Sequence, residues 1–335
     1  MRQETLRRMI SFVLLVILLI VFGTTSSSFF TVNNIMTLLR EASVVGMLAV
    51  GVTMCIITGG NDLSCGALLG LVSMVVAHLY HYTALPLMAI LLIALAVALL
   101  GGMLNGICVA VLQIPDFVAT LSTKMIFTGL ILVFAIRNSA GLITTETINN
   151  PSISALGGAF PGGLYYSVAA FFLLAILAQF YLKRTKSGTY LYAMGSNRKS
   201  AEYSGISFVK VKMTAFMISA FCAYIGALFL LGRNRAAETA TGMGFEFQAI
   251  SATVIGGCAF AGGRGDMIGT VIGVLFMQVL KNGIMKYNFS TQTQAVVSGV
   301  VIVVMLVFDA FYNDYMQKKT TRAAAIAREK KAVAE

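Results

Sequence analysis

The chain has 335 residues, 58% of them hydrophobic and only 11% charged, with a formal net charge of +11. Soluble domains use about 45–50% apolar and roughly 25% charged residues, so this composition excludes an ordinary water-soluble enzyme and specifies a polytopic membrane protein. Trp is absent and no basic stretch is interleaved with aromatics, which excludes nucleic acid as a partner; the positive charge speaks first to topology and to membrane lipid.

Arg2, Arg7 and Arg8 precede an apolar run over Met9–Phe22. TTSSSFF follows instead of a small-residue cleavage site, so the run is expected to remain as an uncleaved first span. Further spans are expected near Ala42–Thr58, Cys65–Tyr80, Leu85–Val111 and Phe117–Ile136. A long polar loop, Arg137–Pro161, separates these from a sixth span at Gly163–Leu182 and a seventh at Met213–Leu231. The last three are expected at Ile250–Gly263, Met267–Leu280 and Ala295–Phe311. Most approach the ~20 residues that cross about 30 Å of hydrocarbon. The expected fold is therefore all-α, with about ten transmembrane helices and both termini in the cytoplasm. A single transmembrane domain covers 1–312, and 313–335 is a basic cytoplasmic tail. That orientation places seventeen of the 24 Lys and Arg inside, as the positive-inside rule requires.

The longest polar interval between spans is Lys183–Lys212, KRTKSGTYLYAMGSNRKSAEYSGISFVKVK. Within it RKSAEYS can form a short helix, started by a side-chain cap from Ser196 or Asn197 and stopped by left-handed Gly205. Arg198 and Glu202 stand four apart and can pair, with Lys199 beside them. Two turns of helix are unstable alone in water, so this element reads as a cytoplasmic knob offered to a partner.

Catalytic signals are missing from the sequence: it holds no HExxH, no GxSxG and no paired carboxylates within a span. His78 and His81 can share a helix face, but no third ligand accompanies them, and interfacial packing explains them better than a metal. GCAFAGGRGD lacks the Lys-Ser/Thr of a phosphate loop, so the chain has no ATP site of its own. Cys55, Cys65, Cys108, Cys222 and Cys258 show no CxxC spacing and read as small buried hydrophobes. Recurrent glycines, Gly256, Gly257, Gly262, Gly263, Gly269 and Gly273 among them, read first as close-packing positions between spans. No catalytic residue, metal or cofactor is expected.

Lys124 lies well inside an apolar run and is expected to snorkel to the cytoplasmic headgroups. Asp62 falls between the second and third spans, where capping the third is the simpler role and a place on a solute pathway the alternative. Asn105, Thr120, Thr123 and Phe127 suit either hydrogen bonding between helices or the wall of a passage for a neutral polar solute. No proton relay is visible, so the energy source is expected on another chain. An ion-coupled secondary carrier, the competing reading, needs an essential intramembrane acid; an integral membrane enzyme needs a catalytic cluster at the surface. After the seventh span comes GRNRAAETATGMGFEFQ, expected outside. Arg233 and Arg235 there run against the charge bias, which anionic headgroups, pairing with Glu238, or an acidic partner would explain.

GGNDLSCGALLGL, LNGICVAVLQIPDFVATLST, TKSGTYLYAMGSNRKSAEYSGI, GMGFEFQAISATVIGGCAFAGGRGDMIGTVIGV and LKNG occur in order between about residues 30 and 310. In these segments the chain resembles the membrane permeases of bacterial ABC importers for monosaccharides, the ribose type above all. Asn61, Cys65 and Phe247 depart from the family's usual residues, which leaves the solute open. The resemblance implies a permease in the bacterial plasma (inner) membrane that pairs with a second copy or a paralogue. It also implies two cytoplasmic ABC ATPase subunits, engaged through Gly195, Ser196, Asn197, Arg198, Lys199, Ala201, Glu202, Ser204 and Gly205. A periplasmic or lipid-anchored sugar-binding protein would dock outside, where Arg233, Arg235 and Glu246 are the candidates to receive it.

Overall fold

The computed structural model describes residues 2–145 and 147–287, together with isolated positions between 293 and 307. The chain divides into two compact units, Met1–Tyr287 and Asn288–Glu335. The second contains the expected tenth span and the basic tail, which fall outside the described residues except at those isolated helical positions.

The first unit is helical for the reason a bilayer imposes: without water, each backbone N–H and C=O must find its partner within the segment. Eight of its helices are long and apolar enough to cross a membrane. They are α1 (Arg2–Thr25), α2 (Val32–Ile57), α3 (Cys65–Tyr82), α4 (Leu87–Gly106), α5 (Asp116–Val133), α7 (Tyr166–Arg184), α10 (Phe208–Asn234) and α12 (Met267–Met285). Between them lie four shorter helices: α6 (Pro151–Leu156), α8 (Lys186–Ser196), α9 (Arg198–Tyr203) and α11 (Phe245–Ile255).

α2 is the axis of this unit. Every residue from Ala42 to Ile57 is buried, because α10, α12, α11 and α7 close around it. α3 is likewise buried from Cys65 to Ala77. The outer helices present apolar side chains: Leu92 and Leu100 on α4, Met125 and Val133 on α5, Ile176 and Phe180 on α7. Such residues suit hydrocarbon, not water.

The first seven expected spans all correspond to helices, with shifted ends. α10 begins at Phe208 instead of Met213, because Ser207 caps it by accepting from Lys210 N–H at 3.4 Å. The loop over 137–161 contains α6, whose start is capped by Asn150 Oδ1 accepting from Ser152 N–H at 3.0 Å. α4 continues as a π-helical turn, Ile107–Val111, closed by Leu112 N–H to Ile107 C=O at 3.0 Å and ended by the approach to Pro115.

The expectation of a span at Ile250–Gly263 is corrected. α11 has eleven residues, about 16 Å of helix and half a bilayer. It stops at Gly256, and Gly257, Gly262, Gly263 and Gly265 all take positive φ in an open loop that leads to α12. All four serve backbone turns, and Gly262 and Gly263 are close-packing positions as well, since a Cβ there would strike backbone of Gly59 or Ser196. Gly256, Gly269 and Gly273 do pack helix on helix, since a Cβ at any of them would strike backbone of α11 or α12.

Candidate functional site

At one end of the bundle the interval 183–212 folds as two consecutive helices. Thr185 caps α8 by accepting from Gly188 N–H at 3.0 Å, an element that the sequence reading did not anticipate. α9 begins at Asn197, whose Oδ1 accepts from Ser200 N–H at 3.0 Å; Asn197, not Ser196, is the cap. Gly205 has φ +79°. It closes α9 with paired bonds, Gly205 N–H to Glu202 C=O at 2.9 Å and Ile206 N–H to Ala201 C=O at 3.0 Å, the Schellman arrangement.

Arg198 Nε donates to Glu202 Oε1 at 3.0 Å and the guanidinium lies 3.6 Å from the Phe208 ring centroid. Both charged side chains are more than two-fifths exposed, so the pair contributes only a few tenths of a kcal/mol. Lys199, Ser204 and Gly205 are exposed and Ala201 is buried beneath them. Tyr203, which motif reading passed over, is 91% exposed, a large aromatic held in water by a rigid cap.

The base of this knob is fastened by backbone. Gly263 N–H donates to Ile57 C=O at 2.8 Å, and Tyr192 Oη donates to Gly265 C=O at 2.8 Å. A Cβ at Gly195 would strike the Ile57 carbonyl and Gly263 N, so only glycine lets α8, the end of α2 and the 256–266 loop meet here. Ser196 lies in the same junction, against Gly263. α8 is thereby joined to the end of α2 and to the loop that leads into α12. Asp266 caps α12, accepting from Gly269 N–H at 2.8 Å, and pairs with Arg8 of α1.

Five polar or aromatic candidates come together inside the bundle. Asp62 Oδ1 accepts from Ser64 N–H at 2.9 Å and from Ser64 Oγ–H at 2.7 Å, and Oδ2 accepts from Ser219 Oγ–H at 2.6 Å. Asn105 Nδ2 donates to Ser64 Oγ at 2.7 Å, and Thr123 Oγ1 donates to Asn105 Oδ1 at 2.6 Å. Thr120 Oγ1 donates to Asp116 C=O at 2.8 Å. Phe127 packs in the interior near Gly101. All five are buried; Ser64 joins Asp62 to Asn105 and so to Thr123, Ser219 of α10 holds the other Asp62 oxygen, and Thr120 turns back to its own helix. Beside them Lys212 Nζ, 4% exposed, pairs with both Asp116 oxygens at 3.0 and 3.1 Å, tying α10 to the start of α5. Neither residue of that pair was singled out in the sequence, because each lies at the edge of a span.

Lys124 is not snorkelling to headgroups. Its Nζ donates to Glu246 Oε1 at 2.5 Å, and Glu246 is fully buried. Glu246 is therefore an internal partner in this chain and presents no free surface for docking. The sequence places it after an apparently external segment, but the backbone of Thr241 and Gly242 lies against Gly66 and Gly70 of α3. Acids within apolar helices are thus present: Glu246 in α11, and Glu41 in α2 near the other end. Glu41 faces Arg233 at 3.4 Å and Lys281 at 3.8 Å, and accepts from Gln278 Nε2 at 2.6 Å. Arg233 thus pairs with Glu41 and not with Glu238. Arg235 is exposed, takes φ +54°, and its carbonyl accepts from Ile148 N–H at 2.7 Å. At that end His78 Nδ1 meets the Phe134 carbonyl at 2.8 Å, a packing role for the histidine. Among the described residues no cluster of His, Cys, Asp or Glu has metal-binding geometry.

Residues 34–306 match the family described as branched-chain amino acid transport system / permease component. The chain belongs to this permease family. Among curated relatives, the ribose import permease protein of Haemophilus influenzae is 31% identical over 302 residues, covering 90% of this chain and 92% of the relative. The ribose import permease protein of Bacillus subtilis is 34% identical over 276 residues, 82% of this chain and 84% of its own. The D-allose transport system permease protein of Escherichia coli is 33% identical over 279 residues, with 83% and 84% covered. A permease component is a transport subunit and not an enzyme. The family match spans the knob, the buried polar network and both Glu41 and Glu246. It also decides against the ion-coupled carrier, which the acids alone would have left open.

Proposed function

We propose that this permease is the membrane subunit of an ATP-driven, binding-protein-dependent importer of a monosaccharide in the bacterial inner membrane. The observation that carries the reading is α9: a capped six-residue helix with Tyr203 exposed, standing on a junction that only glycine backbone can form. A helix of that length persists by packing, and an exposed aromatic on rigid support is the usual anchor of an interface. Its partner is a cytoplasmic ABC ATPase, which meets Arg198, Lys199, Glu202 and Ser204 around Tyr203. The junction passes the motion of that contact to α2 and α12.

The names of the relatives supply the solute class, ribose and allose being monosaccharides. Charge asymmetry supplies the orientation, with α8 and α9 inside. A second permease copy or a paralogue completes the membrane unit. A sugar-binding protein docks at the opposite face, where exposed Arg235 is the better candidate and Arg233 is partly occupied by Glu41. Reconstitution with a cognate ABC ATPase and sugar-binding protein tests this. Sugar uptake into proteoliposomes should require all components and ATP, and the loaded binding protein should stimulate hydrolysis. Uptake driven by an ion gradient without the ATPase would overturn the proposal.

A further inference from the structure

The face around Lys124 cannot be a lipid face. Lys124 stands eight residues into α5, about 12 Å from its start, and its side chain is 25% exposed. Its Nζ lies 5.0 Å from the ring centroid of Phe247, which is 49% exposed. Met243, four residues earlier and before the start of α11, is 80% exposed, and Gly244 has open space around the position of a Cβ. The chain leading into α11 is irregular here, with Gly242 and Gly244 both at φ +80°. Irregular backbone and a charged amine at membrane depth are tolerated where they line water or are covered by protein, and not against hydrocarbon. An ammonium has three donors, and Glu246 Oε1 takes one of them. Two remain available for water or for a hydroxylated solute.

Asp62, Asn105, Thr120 and Thr123 do not compete for this role. All are buried, and their hydrogen bonds are taken up inside the bundle, by Ser64 and Ser219 for Asp62, by Ser64 and Thr123 for Asn105, and by the Asp116 carbonyl for Thr120. We propose that Lys124, Phe247 and Met243 form the wall of the aqueous solute pathway, with Lys124 and Phe247 as a contact station for a neutral polyhydroxylated ring. The Lys124 ammonium donates to ring hydroxyls, and the Phe247 ring lies against the apolar C–H face of the solute. Glu246 is a positioning residue: one buried carboxylate oxygen holds the ammonium beside the ring, and the other packs without a hydrogen-bond partner against Gly66. Because Glu246 already neutralises Lys124, the station carries no net charge and favours neutral over anionic solutes. This inference rests on the transport reading above and locates the solute within it.

Four single-cysteine variants, Met243→Cys, Phe247→Cys, Ser152→Cys and Ile176→Cys, test the proposal. Each is made in a chain freed of its own cysteines and assayed in proteoliposomes with ATPase and binding protein. A charged, lipid-insoluble methanethiosulfonate should modify Met243→Cys and Phe247→Cys at rates within about tenfold of Ser152→Cys, an exposed position on α6. It should leave the lipid-facing Ile176→Cys unmodified. Reaction of Met243→Cys only with a lipid-soluble maleimide would make this a lipid face; reaction with neither reagent would make it a dry protein contact. Either result overturns the pathway assignment while leaving the transport reading intact, provided the loaded binding protein still stimulates hydrolysis. Absence of that stimulation in the unmodified complex would remove the transport reading and this inference together. Phe247→Ala should lower maximal D-ribose or D-allose uptake about tenfold, and Phe247→Tyr should restore it. Equal uptake by Phe247→Ala and wild type for every monosaccharide carried would exclude the aromatic contact.

Discussion

Gly205 offers the most direct probe of α9, because its structural role is conformational and nothing else. It sits at φ +79° with no atom within 4 Å of where a Cβ would stand, so a side chain there meets no clash. The cost of replacing it is the cost of the left-handed conformation, about 1–2 kcal/mol for an ordinary residue and more for a β-branched one. Gly205→Val therefore removes about 2 kcal/mol from the cap, which shifts the balance between formed and frayed α9 roughly 25–30-fold. A six-residue helix has little with which to offset that loss. The effect is local, since α9 is a surface element, and the melting temperature of the solubilised protein should not move. In proteoliposomes Gly205→Val should lower sugar transported per ATP hydrolysed about tenfold, Gly205→Ala less, and Gly205→Asn least, because Asn tolerates this conformation. If Val couples like wild type, or if Asn fails as badly as Val, conformational closure of α9 is not what coupling requires.

Lys212→Met should destabilise the solubilised protein by about 2–4 kcal/mol, because it leaves the Asp116 carboxylate unpaired in a mostly buried site. Pairing it with Asp116→Leu should recover most of that loss in the same unfolding measurement; failure to recover would mean the bridge matters for more than charge compensation. Thr123→Phe should abolish recovery of the assembled complex, since Thr123 is 3% exposed and bonded to Asn105. A correctly assembled but slow transporter would instead support a pathway role for Thr123. For topology, a cysteine at exposed Ser152 on α6 should react with an impermeant reagent in intact cells, and one at exposed Ser200 on α9 should not. The opposite pattern would invert the molecule.

Much was legible in the sequence because it depends on local chemistry. Apolar runs of sufficient length must be helices in a bilayer, so seven spans and α12 could be placed before any contact was known. The α9 cap and stop were legible for the same reason: Asn197 and Gly205 act on backbone groups within a few residues. The short α11 was misjudged as a span because the glycines from 256 to 265 read equally well as packing residues and as turns. Their φ values reveal the turns, which composition does not, and Gly262 and Gly263 do both.

Pairings across the bundle could not be read from one chain of letters. Lys124 and Glu246 lie 122 positions apart, and Lys212 and Asp116 lie 96 apart. Whether a charged side chain at a span's edge reaches water or another charge depends on where two helices cross. The same holds for Asp62, Asn105 and Thr123: their types announce a buried polar site, but a pathway and a hydrogen-bonded network use the same residues. Hydropathy and caps are properties of a segment and survive in the sequence alone. Charge compensation and exposure are properties of neighbours, and only the packed helices determine that Thr123 is sealed while Phe247 is open.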